Sequence, residues 1–161
     1  MPTYEITSPA QLQETLKNIV IEVIEAVSKD LLEIFKEDYI QKEVYDGHKP
    51  NVKYNPTGEF YDAWEFTDVE VALKEVTTEL WYNWMSMGYD PDTYTHSSAS
   101  SNWPNDTREH LADWLNRTVS SSHWFSVKRN ERYWNKFIRE QVTENRIDKL
   151  FKKHFALRGI S

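Results

Sequence analysis

Residues 9 to 36 carry an unbroken helical pattern, and its length dictates much of the remaining architecture. Ser8 supplies an N-cap hydroxyl, Pro9 takes the first helical position and Gln11 completes a capping box. Leu16, Val20, Val23, Val27, Leu31 and Ile34 then recur at spacings of three and four, a stripe down one side of a helix. Glu14, Glu22, Glu25, Lys29, Glu33 and Lys36 fill the other side. At 1.5 Å per residue such a helix reaches roughly 40 Å, more than the diameter of a domain this size, so part of it overhangs. Ile19, Ile21, Ile24, Leu32 and Phe35 widen the apolar arc beyond a single stripe. The helix therefore calls for cover from its own domain on one flank and from a neighbouring molecule on another, with Ile21, Ile24, Leu32 and Phe35 as interface candidates.

The chain after the helix predicts an α+β fold in one domain spanning residues 1–161: the long helix and its exit (8–45), a β-hairpin region (58–84), a long loop (85–105) and a helical part (106–158). The stretch from Asp46 to Gly58 holds two prolines and two glycines without periodicity and reads as a loop. Trp64 and Phe66 alternate with Glu65 and Thr67, Val69 and Val71 with Asp68 and Glu70, and the phase slip near Asp68 predicts a bulge. Val76, Thr78, Leu80, Tyr82 and Trp84 share one face of a second strand, predicting an antiparallel pair. Asp106 and Glu109 form a second capping box before Leu111, Trp114 and Leu115. Tyr133, Trp134, Phe137, Ile138 and Val142 keep helical spacing, which Ile147, Leu150, Phe151 and Phe155 resume after a slip at Thr143 to Arg146. Gly159 stands where a helix C-terminus wants a left-handed residue, with Ile160 placed to fold back on the last turn. The expectation is a long N-terminal helix and C-terminal helices packed on a small antiparallel sheet.

Composition narrows the chemistry. The net charge of −7 opposes a general electrostatic grip on nucleic acid. The local cluster of Lys149, Lys152, Lys153 and Arg158 complements the negative end of a helix dipole. With no cysteine, disulfides, thiolate catalysis and Cys-based zinc sites are excluded. "MPTYEITSPA" lacks a basic region followed by an apolar run, so synthesis in the cytoplasm is expected and the Asn105 and Asn116 sequons read as chance matches. Asp90, Asp92 and His96 are the best metal or acid–base candidates, but Asp and Pro are ordinary turn residues and the spacing matches no ligand motif. Neither a GxSxG elbow nor a glycine-rich phosphate cradle is present. No catalytic, cofactor-binding or metal residue is assigned, and the aromatics, Trp103 of the long loop among them, read as core and interface anchors.

The order of parts resembles the neck or tail-completion proteins of long-tailed bacteriophages and related prophage particles, a family of minor capsid or tail-component proteins. The residues that carry the likeness are Val44 and Tyr45, then Tyr54, Pro56, Thr57 and Gly58, then Trp64 and Phe66, the loop with His96, the helix from Asp106 and the ending "LFKKHFALRGI". A basic residue before Thr-Gly is Pro56 here, and a His-Gly in the long loop is His96-Ser97. The resemblance implies a structural virion protein without an active site or cofactor, assembled in the host cytoplasm. It implies a hexameric or dodecameric ring between the phage connector or stopper and the tail terminator, with DNA passing through its channel without sequence-specific binding. A small acidic protein directed at a host target is the competing expectation. On this reading Pro56, Thr57 and Gly58 form the structural turn that takes the chain out of the helix, and His96 and Trp103 join the interface candidates.

Overall fold

The computed structural model describes residues 6–46, 58–72, 75–88, 108–117 and 132–160. The architecture is α+β, and α1 (Pro9–Ile34) is its spine. Ser8 is extended and its hydroxyl accepts from the Gln11 amide at 3.2 Å. The Gln11 side chain does not return to Ser8, as the sequence pattern suggests; its Oε1 accepts from the amide and hydroxyl of Thr7 at 2.8 and 2.6 Å. The helix start is thus clamped one residue further out than a standard capping box.

The chain does not leave the helix near Lys36. It continues as a π-helix from Phe35 to Tyr45, closed at its end by the Asp46 amide donating to the Gln41 carbonyl, an i→i+5 bond of 2.8 Å. The buried residues explain the wider winding. Phe35, Tyr39, Ile40 and Val44 are all buried, and their spacing covers two turns at between four and five residues each. Upstream, Ile19, Val23, Val27 and Leu31 are buried at every fourth position. A step of four residues in an α-helix overshoots a full turn by about 40°, so the buried line winds about 160° around the axis between Ile19 and Phe35. One helix thereby serves two cores on different sides.

The first core is the contact between α1 and the C-terminal helix. Ile19, Val23, Val27 and Leu31 pack with Phe66, Ile147, Leu150, Phe151, Phe155 and Ile160. The slip seen in the sequence is a true break: Val142 and Thr143 separate α4 (Tyr133–Gln141) from α5 (Glu144–Leu157). α5 runs antiparallel to α1, since Lys153 and His154 meet Asp30 whereas Arg158 meets Glu22. Its end follows the expected cap: Gly159 has φ 80°, its amide donates to Ala156 at 3.0 Å and the Ile160 amide to Phe155 at 3.1 Å. That pair of bonds is a Schellman motif, and it folds Ile160 into the core.

The second core surrounds the π-helix. Phe60, Ala63, Trp64, Met87, Leu111, Leu115, Tyr133 and Phe137 close over Phe35, Tyr39, Ile40 and Val44. Gly58, at φ 88°, starts a one-turn helix α2 (Glu59–Asp62) that seats Phe60 before the chain enters β1 (Trp64–Phe66). The expected turn therefore leads into a helical turn and not straight into a strand; Pro56 and Thr57 lie outside the described residues. β1 pairs antiparallel with β4 (Leu80–Tyr82), and β2 (Glu70–Val71) with β3 (Val76–Thr77). Between the two ladders, residues 67–69 oppose residues 78–79, which is the extra residue of the predicted bulge. Threonine hydroxyls stitch the gap: Thr78 donates to the Thr67 carbonyl at 2.7 Å, and Thr67 Oγ1 accepts from the Glu79 amide at 2.9 Å. The strand ends at Tyr82, so Trp84 belongs to a 3₁₀ turn (Trp84–Ser86) and not to the sheet. Helix α3 (Arg108–Arg117) is fastened by Arg108 donating to the Met87 carbonyl and by Tyr133 donating to the Ala112 carbonyl at 2.9 Å.

Nothing lies within 4 Å of a Cβ built on Gly58, so its requirement for glycine is purely one of backbone conformation. Gly58→Val is expected to cost about 1–2 kcal/mol through the left-handed φ alone. Thermal unfolding should show the loss, and Gly58→Ala should show a smaller one.

Candidate functional site

Four features could carry function: the overhang of α1, the groove beside it, the polar contacts that latch α5, and the buried polar group at the π-helix. The overhang follows from the geometry just described. α5 covers α1 only as far as Ile19, which is 4% exposed, while Leu16 and Leu12 further along the helix are 46% and 43% exposed. Ile6, before the cap, is also exposed. These apolar side chains extend the α1–α5 seam beyond its intramolecular cover.

The interface candidates separate into four groups. Ile21 and Ile24 are half-buried on the middle of α1. Leu32 is half-buried and packs against the π-helix core. Phe35 is a correction: it is fully buried, ringed by Trp64, Phe137 and Trp134 at centroid distances of 4.9, 4.7 and 5.6 Å, and cannot meet a neighbour. The winding of the buried line carried it from the outer arc to the centre. His96 and Trp103 lie outside the described residues, as do Asp90 and Asp92.

An open groove of about 360 Å³ separates α1 from the hairpin, with Leu32, Phe66 and Val69 as its apolar surface and Glu25, Glu65 and Asp68 around it. The hydroxyls of Thr67 and Thr78 border it but are committed to the hairpin bulge. Among the described residues, Lys29 is the single basic side chain in the lining.

The α5 latch is polar. The Lys153 ammonium donates to Asp30 Oδ2 at 2.7 Å, and Nε2 of the buried His154 lies 2.9 Å from the same oxygen. The Arg158 guanidinium reaches the Glu22 carboxylate and carbonyl at 3.0 and 3.1 Å, and the His154 carbonyl at 3.1 Å. The C-terminal cations thus pair chiefly with carboxylates of α1, Lys152 with Asp148 of its own helix excepted. Lys153 beside Asp30 holds its carboxyl below the usual value of 3.8; partial burial opposes this and the His154 ring assists it. Because the folded value is depressed, the stabilisation from Asp30 is fully present above the unfolded value and disappears as pH falls below about 4 through the folded one. The Tm difference between the native chain and Asp30→Asn should therefore shrink on acidification in that range. A difference independent of pH there would show that the carboxylate charge is not what latches α5.

At the π-helix, the Tyr39 hydroxyl donates to Glu140 at 3.0 Å and accepts from Gln141 Nε2 at 2.8 Å. Lys136 bridges to Glu43 beside it and stands 6.0 Å over the Tyr39 ring. Burial holds the Tyr39 phenol above its ordinary value. The group ties α4 to the π-helix. Among the described residues no cluster of three or more His, Asp or Glu is placed to hold a metal ion. No helix among them is long and apolar enough to cross a membrane.

Comparison with protein-family models, curated proteins and solved structures gives no match. The overhang is therefore the feature on which a functional reading rests. The α5 latch left no trace in the sequence, since its partners stand more than a hundred residues apart.

Proposed function

We propose that this chain is a structural virion protein of the head–tail junction of a long-tailed phage or prophage particle. In this reading it forms a ring between the connector and the tail terminator, DNA passes through its channel, and it performs no catalysis. The observation that carries the reading is the extension of the α1 apolar seam beyond its cover, with Leu12 and Leu16 nearly half exposed on a helix whose Ile19, Val23, Val27 and Leu31 are packed. Exposed apolar side chains in continuation of a core seam are costly in a free monomer and useful in an assembly. The order of parts in the sequence, similar to neck and tail-completion proteins, supplies the particular assembly.

Sedimentation velocity and negative-stain electron microscopy of the full chain test this. Closed rings are expected, and Leu12→Asp together with Leu16→Asp is expected to give a folded monomer. A native chain that stays monomeric at its highest soluble concentration, alone and with connector and terminator proteins, would end the proposal.

A further inference from the structure

Charge is segregated along this chain in a way that its net value conceals. Every charged side chain in the described residues 58–72 and 75–88, the hairpin and its flanks, is a carboxylate. In residues 132–160, the last two helices, eight Lys and Arg stand against three Asp and Glu. Both regions also carry exposed apolar side chains. On the hairpin, Trp81 sits directly opposite Glu65 on the outward face at 38% exposure, and Met85 follows at 66%. On α5, Arg146, Lys149 and Leu157 lie on one side of the helix, and Leu157 is 67% exposed, whereas the neighbouring Lys153 is held by Asp30 of α1.

These two faces cannot meet within one molecule. The inward side of the hairpin and the inward side of α5 both turn to the first core, where Phe66, Ile147 and Leu150 each pack against the buried stripe of α1. Their outward sides face away from that shared core. Two hairpins placed face to face would set carboxylates against carboxylates, and two α5 helices would set cations against cations, so a two-fold contact through either face is repulsive. What remains is a contact between the hairpin face of one copy and the α5 face of another.

We infer that copies of this chain associate head to tail, the acidic outward face of one hairpin with Trp81 and Met85 seating on the basic outer face of the next copy's α5 with Leu157. The inference rests on the self-assembly reading above and adds a second contact to the one made by the α1 overhang. Heterologous contacts close into rings when the rotation per copy divides a full turn, and the opposed charges set the direction in which copies add. At physiological ionic strength the attraction is screened beyond about 8 Å, so assembly should weaken as salt rises.

Charge reversal tests it, read by sedimentation velocity on the full chain at low salt. One variant carries Glu70→Lys and Glu79→Lys, the other Arg146→Glu and Lys149→Glu; all four side chains are exposed, so folding is checked simply by circular dichroism. Each variant alone is expected to lose assembly by about tenfold or more in apparent affinity. An equimolar mixture of the two should regain it, because each then presents the face the other lacks, and so should a single chain carrying all four changes. If the native chain assembles and the reversals leave it unaffected, or neither the mixture nor the fourfold variant regains assembly, this contact is wrong while the ring reading stands. A native chain that never assembles overturns both.

Discussion

Phe35→Ala is expected to lower stability by about 3–5 kcal/mol, the range for deleting a large aromatic side chain from a core that cannot collapse around the gap. The neighbours are themselves rigid. Phe35 meets Trp64 edge-on with planes at 75° and Trp134 at 89°, and Phe137 packs against it at 4.7 Å. Rings held in such mutual geometry have no short-range rearrangement that fills the vacated volume. Against a total of about 5–15 kcal/mol for a domain, the loss should shift Tm by roughly 10 °C and the urea midpoint in proportion. A cost under about 1.5 kcal/mol would mean that the π-helix re-winds to refill the site.

The second large effect concerns α1 and separates folding from assembly along one helix. Val23 is fully buried under α5, so Val23→Asp places a carboxylate in an apolar seam without a partner, at an expected cost of about 3 kcal/mol or more. Leu16, two turns earlier, is 46% exposed, so Leu16→Asp should leave the unfolding free energy within about 0.5 kcal/mol while removing part of the proposed contact surface. Thermal melts beside sedimentation profiles read the two outcomes independently. Equal destabilisation by both would mean that the overhang is packed in the monomer; equal assembly by native and Leu16→Asp chains would mean that Leu16 makes no contact between copies.

Much of the fold was legible because it is local. The Ser8 cap, the Gly159 ending, the break after Gln141 and the bulge in the hairpin each follow from residues within a turn or two of one another. The π-helix was not legible, since a pattern judged against spacings of three and four stops fitting at Lys36, where the spacing merely widens. Phe35 was misassigned for the same reason: without knowing that the buried line advances every fourth residue, its place on the helix circumference is miscounted. The hairpin's charge was visible residue by residue but became a surface only once β1 and β4 were paired. Asp30 and His154 could be joined only by the path of the whole chain.

The overhang has a consequence for how such a protein can change. Inserting or deleting one residue between Leu16 and Ile19 would rotate everything before it by about 100° around the helix axis and slide it by about 1.5 Å, yet would disturb no packed side chain downstream. Leu12 and Leu16 would point in a new direction from an intact body. The same edit inside the π-helix would tear Val44 from the core. The free end of α1 therefore behaves as a dial on a fixed instrument, a place where single-residue length changes can re-aim the apolar side chains at a different neighbour while the domain beneath stays as it is.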